Sequence, residues 1–167
     1  MNKRLFIVRH AKSSWDYPQL TDFERPLNTR GKRNVPDMAQ RFVETGYTID
    51  QLLSSPAERA ITTAKGFAAK LNVSVEQIQK NKDLYHASAF AIKRIISEVP
   101  SHIDNLMIFG HNPGLTYLIN DLSDFHLDNL ATCAICGVEF NIKSWQDVLN
   151  TTGKKFYYDF PKSRDKY

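Results

Sequence analysis

Two cysteines in 167 residues, Cys133 and Cys136, are too few and too close together to staple a fold. A disulfide framework is excluded and a reducing compartment is expected. Seven glycines and seven prolines exclude collagen-like and low-complexity architectures. No apolar run approaches the ~20 residues of a membrane span, and the run at residues 5–8 falls short of the ~7–15 of a secretion signal. We therefore expect a cytoplasmic, soluble protein that engages no membrane. Charge of one sign is also lacking: 22 basic against 18 acidic residues leave a formal +4, with a pI near 9.0. That balance favours anionic ligands, but it is too mild and too evenly spread for a nucleic-acid groove.

What is present is ordinary globular material, 42% hydrophobic and 24% charged. The length suits one domain over residues 1–167. Residues 5–8 (LFIV), 51–54 (QLLS) and 105–109 (NLMIF) read as buried strands, followed by strands at 134–142 and 155–160. Between them lie helical stripes. Val35, Met38, Ala39 and Phe42 form one, with Pro36 marking its start or a kink. Ser55-Pro56-Ala57-Glu58 predicts an N-cap and capping box for a second, carrying Ala60, Ile61, Ala64, Phe67 and Leu71. Ser88 caps a third with Ile92 and Ile96 inward, and Asn112-Pro113 opens a fourth. Alternating strands and helices predict an α/β fold: a mainly parallel, mixed sheet covered on both faces, as a three-layer α/β/α sandwich without large insertions.

In such sheets ligands bind beyond the carboxyl ends of the strands. Three strand ends here carry cationic or imidazole side chains: Arg9-His10; Ser54-Ser55, with Arg59 one helical turn on; and Gly110-His111. Helix N-termini at the same rim add free N–H donors. Together they describe an anion pocket suited to phosphate. Taken singly each residue has a plainer reading, Arg59 as a solvated helix residue and His111 as a turn residue among them. Their agreement in location decides.

The blocks RLFIVRHAKSSWD (4–16), RPLNTRG (25–31), LLSSPAERAITTA (52–64) and FGHNPGL (109–115) resemble the histidine phosphatase superfamily, the phosphoglycerate mutase-like proteins. The nearest likeness within it is to the SixA-type phosphohistidine phosphatases. The resemblance implies His10 as the phosphoryl-accepting nucleophile, with Arg9, Arg59 and His111 holding the phosphate oxygens. It brings Asp16 and Asn112 into the substrate-binding set, Asp16 in a supporting role such as orienting Arg9. Relatives normally have glycine where this chain has Ala11. A general acid is not evident: Asp22, Glu24 and His86 are candidates, and His86 could instead bind phosphate. The absence of a clear acid, and the short chain, lean toward a phosphohistidine-bearing protein as substrate. Small phosphomonoesters, or phosphate binding without turnover, are the alternatives. Neither metal nor cofactor is expected.

Of the remaining residues, Cys133 and Cys136 read as reduced core residues, and His102 and His126 as solvated. Trp15 either lines the pocket mouth or merely packs. Lys12 and Arg25 are placed to attract an anion, and Lys162, Arg164 and Lys166 form a basic tail.

Overall fold

Residues 2–165 are described by a computed structural model. Its strands are β1 (Asn2–Arg9), β2 (Gln51–Ser54), β3 (Gln79–Lys80), β4 (Asn105–Gly110), β5 (Ile135–Asn141) and β6 (Lys154–Asp159). Its helices are α1 (Thr29–Glu44), α2 (Glu58–Leu71), α3 (Ala89–Ser97) and α4 (Gly114–Leu122). The apolar run of β1 divides the core. Leu5 and Ile7 pack on one face with Ile92, Ile96, Leu115 and Leu118, while Phe6 and Val8 pack on the other with Met38, Phe42, Ala64 and Phe67. Helices α3 and α4 thus cover one face, and α1 and α2 the other.

One six-stranded sheet runs β3-β2-β4-β1-β5-β6. β3, β2, β4 and β1 are parallel, and β5 is antiparallel to both β1 and β6. The expected mixed, mainly parallel α/β sandwich is what the chain forms. Strand β3 escapes sequence reading because it is two exposed polar residues long.

Three helix starts differ from expectation. α1 begins at Thr29, where the Asn28 side chain accepts a hydrogen bond from Gly31 N. Pro36 lies inside that helix on its exposed side, so the carbonyl it leaves free can be hydrated. α2 begins only at Glu58, because Ala57 is extended. Ser55 is therefore not an N-cap of the usual kind, and the Glu58 carboxylate accepts from the Thr62 hydroxyl instead of closing a capping box. α4 starts at Gly114, while Asn112 Oδ1 accepts from Thr116 N and Oγ1. Ser88 caps α3 as expected, accepting from Ala91 N.

Cys133 and Cys136 are both buried, but they face opposite halves of the core. Burial pushes both thiols up to about 12. His102 and His126 are exposed. Lys162 and Arg164 are exposed on a short 3-10 turn whose preceding carbonyl, Phe160 O, is gripped by Arg41. Lys166 lies outside the described residues. Among the described residues no helix is long and apolar enough to cross a membrane.

Candidate active site

Parallel pairing aligns Arg9 with Gly110, so the residues that follow, His10 and His111, leave the sheet side by side. His10 N donates to Gly110 O at 3.1 Å, Ser55 N donates to Phe109 O at 3.0 Å, and the two imidazole centroids stand 5.2 Å apart. The loop after β1 is clamped from two sides. Ala11 N donates to Thr63 Oγ1 on α2 at 3.0 Å, and Asn28 N donates to Lys12 O at 2.9 Å. At Gly31 a Cβ would stand 2.2 Å from Lys12 O, so only glycine lets α1 press this closely on the loop.

His10 is 7% exposed. Its Nδ1 lies 2.7 Å from Ala11 O. A carbonyl only accepts, so Nδ1 carries the proton and Nε2 keeps its lone pair. Burial chiefly, then the charges of Arg59, Arg9 and Arg25, lower its pKa to about 4 against the opposing pull of Ala11 O. At neutral pH the ring is uncharged.

His111 is also buried, and its Nε2 lies 2.8 Å from Ser55 Oγ. Burial first, then the neighbouring His10, Arg59 and His86, lower its pKa to about 3. Its Nδ1 is buried and without a partner, as is Arg9 Nε. Buried polar atoms of this kind call for a ligand. Arg9 Nη1 is fixed by Leu130 O at 2.9 Å. Arg9, His10, Lys12, Ser13, Arg25, Arg59 and Thr132, with Trp15, line a cavity of about 160 Å³. Cations crowd one wall of a small void, which is a site for a compact anion. A larger surface depression, about 660 Å³, lies at the starts of β2 and β3, where Asp50 and Glu76 are its charged residues; it has no cation to hold a phosphate.

Arg59 is held by Asp22. Its Nη1 donates to Asp22 O at 2.6 Å and its Nη2 to Asp22 Oδ2 at 2.9 Å. The same Oδ2 accepts from Tyr85 Oη at 2.5 Å and faces His86 Nε2 at 3.2 Å, while Oδ1 accepts from Arg25 Nη1 at 2.9 Å. Burial alone would raise the Asp22 carboxyl. Hydrogen bonds from Tyr85, Arg59 and Arg25 outweigh it and hold the group well below the usual carboxylate range. Asp22 is therefore an ionised positioning residue, and the expectation that it could serve as an acid is corrected. Glu24 is corrected likewise: it is exposed, and its carboxylate accepts from Thr21 N and Oγ1.

His86 does reach the cluster. It stacks on Tyr85 at 4.0 Å, stands 5.6 Å from His111, and has a left-handed backbone with φ 53°. Asp16 does not reach it. Its side chain is exposed, and the partner that orients Arg9 is Leu130 O. Asn112 is spent on structure, its Nδ2 donating to Leu130 O and Asn129 Oδ1 and its Oδ1 accepting from Thr116. Trp15 lines the mouth, 75% exposed, with the Arg25 guanidinium 3.3 Å over its ring. Sequence reasoning missed Ser13, Ser55, Tyr85, Thr132 and the Leu130 carbonyl. Only Ser55, at a strand end, carried a signal, and its Ser-Pro-x-Glu context pointed to a helix cap. Among the described residues no three His, Cys, Asp or Glu side chains group as metal ligands would.

Residues 5–86 match the histidine phosphatase superfamily (branch 1). That match bears out the resemblance over three of the four sequence blocks; the fourth, 109–115, lies beyond it. The superfamily match spans β1, β2, α2 and the segment ending at His86. An uncharacterised chloroplastic protein of Arabidopsis thaliana is 29% identical over 161 residues, covering 92% of this chain and 73% of that one. The structure of the protein histidine phosphatase SixA complexed with tungstate superposes with a TM-score of 0.80 at 21% identity, over 95% of this chain and 97% of that one. A mycobacterial glucosyl-3-phosphoglycerate phosphatase complexed with VO3 gives 0.72 at 11% identity, over 93% and 98%. These two likenesses establish a fold shared with both phosphatases.

Proposed function

We propose that this chain is a phosphatase that carries the phosphoryl group on Nε2 of His10 and takes it from phosphohistidine on a protein. The observation that carries the reading is the hydrogen bond from His10 Nδ1 to Ala11 O, which leaves an uncharged, unshared lone pair beside three arginines. Nε2 attacks phosphorus as the bond to the leaving group breaks. Arg9, Arg59 and the Nδ1–H of His111 stabilise charge on the phosphoryl oxygens, and donors of this kind supply the largest share of such catalysis. The Ser55 hydroxyl sets the His111 tautomer by donating to Nε2 while accepting from Ala57 N. Water then attacks phospho-His10, and inorganic phosphate leaves.

The choice of a P–N substrate rests on the acid. An alkyl ester expels a poor leaving group and calls for a positioned proton donor. Asp22 is held ionised and Glu24 is tied to Thr21. An imidazole leaves readily once its other ring nitrogen is protonated, with no donor needed at the nitrogen that bears phosphorus. The ionised Asp22 also disfavours phosphate esters whose leaving groups bear negative charge. The SixA relative is named for protein histidine phosphatase activity, which agrees. A second reading, a phosphomonoesterase, rests on His86, whose ring stands close enough to the cluster to donate a proton.

Rapid-quench labelling with a phosphohistidine protein, an aryl phosphate and sugar phosphates tests both readings. An acid-labile, base-stable label on His10 from the phosphohistidine protein is expected. Faster turnover of the sugar phosphates, lost on His86→Ala, would establish the second reading in its place. No label from any donor would leave phosphate binding without turnover.

A further inference from the structure

Beside the phosphate cavity lies a second one of about 180 Å³, lined by Ser14, Trp15, Tyr17, Pro18, Leu20, Asp22 and Arg25. The two cavities share two residues, Trp15 and Arg25, whose stacked side chains stand at the edge common to both. Arg25 cannot swing away. Its Nε donates to Ser14 O at 3.1 Å, its Nη2 to Ser13 Oγ at 2.5 Å and its Nη1 to Asp22 Oδ1 at 2.9 Å. That common edge is fixed before any ligand arrives.

We propose that this second cavity is the leaving-group subsite, and that it takes a single flat nitrogen heterocycle of imidazole size. The proposal rests on the phosphatase reading above and gives it a substrate-discriminating surface. Three observations carry it. The volume is below the ~300 Å³ at which pockets begin to hold drug-sized ligands, so one small ring fills it. Four of its seven lining residues supply an indole, a phenol ring, a proline and a leucine, which suit a flat apolar face. Its one charged acceptor is Asp22. Oδ2 accepts from Arg59 and Tyr85 and faces His86, but Oδ1 accepts from Arg25 alone and keeps a lone pair for an N–H of the ligand.

The chemistry follows from that lone pair. In phosphohistidine the ring nitrogen that does not bear phosphorus can carry a proton, and Asp22 favours the ring in its protonated form. As the His10 Nε2–P bond forms, the substrate N–P bond breaks. Its electron pair returns to the departing nitrogen, and the ring leaves neutral with its other N–H still facing Asp22. No proton has to be delivered to it.

The test has a binding arm and a turnover arm. NMR titration of the free enzyme with imidazole alone is expected to move the Trp15 indole and Leu20 amide signals, and inorganic phosphate alone those of Arg9 and Arg59. Leu20→Trp, which fills the cavity, should abolish the imidazole response and keep the phosphate response. Tyr17→Ala, which opens a wall without adding bulk, should weaken it. In turnover, the preference for N-phosphoimidazole over phosphoramidate, whose leaving group has no ring, should fall about tenfold in each variant. Imidazole that leaves Trp15 unmoved, or variants that keep both the response and the preference, would overturn the subsite. If the enzyme turns over no phosphoryl donor the phosphatase reading fails, and the imidazole titration still decides the subsite by itself.

Discussion

The Ser55 hydroxyl lies 2.8 Å from Nε2 of His111, and the same oxygen accepts from Ala57 N. One side chain at the end of β2 therefore fixes an imidazole at the end of β4. Ser55→Ala frees that ring to adopt either tautomer. We expect kcat to fall about tenfold, with KM less affected, as for loss of one transition-state donor's alignment. Thermal unfolding should drop by only the ~1 kcal/mol of one hydrogen bond. Unchanged kcat would show that the tautomer does not matter.

His10→Asn should remove the phosphoenzyme and lower kcat/KM by about 10³-fold or more, as expected for a covalent nucleophile. Phosphate binding should persist, because the arginines remain. Calorimetric titration with inorganic phosphate and quench labelling separate the two effects.

Arg59→Ala removes one of the phosphate donors proposed above and strips Asp22 of two contacts. Loss of about 10²–10³ in kcat/KM is expected. Because the Arg59 bonds help to hold the Asp22 carboxyl low, its pKa should rise in the variant, visible in the carboxyl 13C titration. Arg59→Lys should restore little, since a point charge cannot span the carbonyl and carboxylate of Asp22 together.

The pH dependence follows from His10. Its folded pKa is depressed to about 4 from an ordinary 6.5. Between those values the unfolded chain binds the extra proton, so the contribution to stability is fully present above pH 6.5 and is lost as pH falls toward 4. His111, lowered to about 3, acts in the same direction. Melting temperature should therefore climb across this window, and the acid limb of phosphoenzyme formation should lie well below pH 6.5. A His10 15N resonance titrating near 6.5 would contradict the burial argument.

Gly31→Ala places a methyl group 2.2 Å from Lys12 O, a backbone atom that cannot step aside without moving His10. Overpacking of this kind costs about 1–3 kcal/mol. Urea unfolding should register that loss, with a fall in activity beyond it because the loop shifts.

Much of this was readable from the chain itself. Residues 5–8, 51–54 and 105–109 are continuous apolar runs, which parallel strands buried on both faces require, and their ends fix where His10, Ser55 and His111 emerge. The ring around Asp22 was not readable. Asp22, Tyr85 and His86 come from irregular segments without periodicity, and their meeting depends on tertiary packing. Ser55 was misread because Ser-Pro-x-Glu fits a helix cap equally well, and only the extended Ala57 shows that the helix waits until Glu58. Asn112 and Asp16 show the converse: their positions fit the pattern, while the Asn112 side chain is bonded to Leu130 O and the Asp16 side chain is exposed.

The in-register pairing of β1 with β4 also has a kinetic side. The two imidazoles are separated by roughly one hundred residues of chain, and loop closure of that size is an early entropic barrier. Activity should thus return during refolding in step with completion of the central sheet and never ahead of it. A fragment that ends before residue 105 would recover no turnover, however well its own helices form.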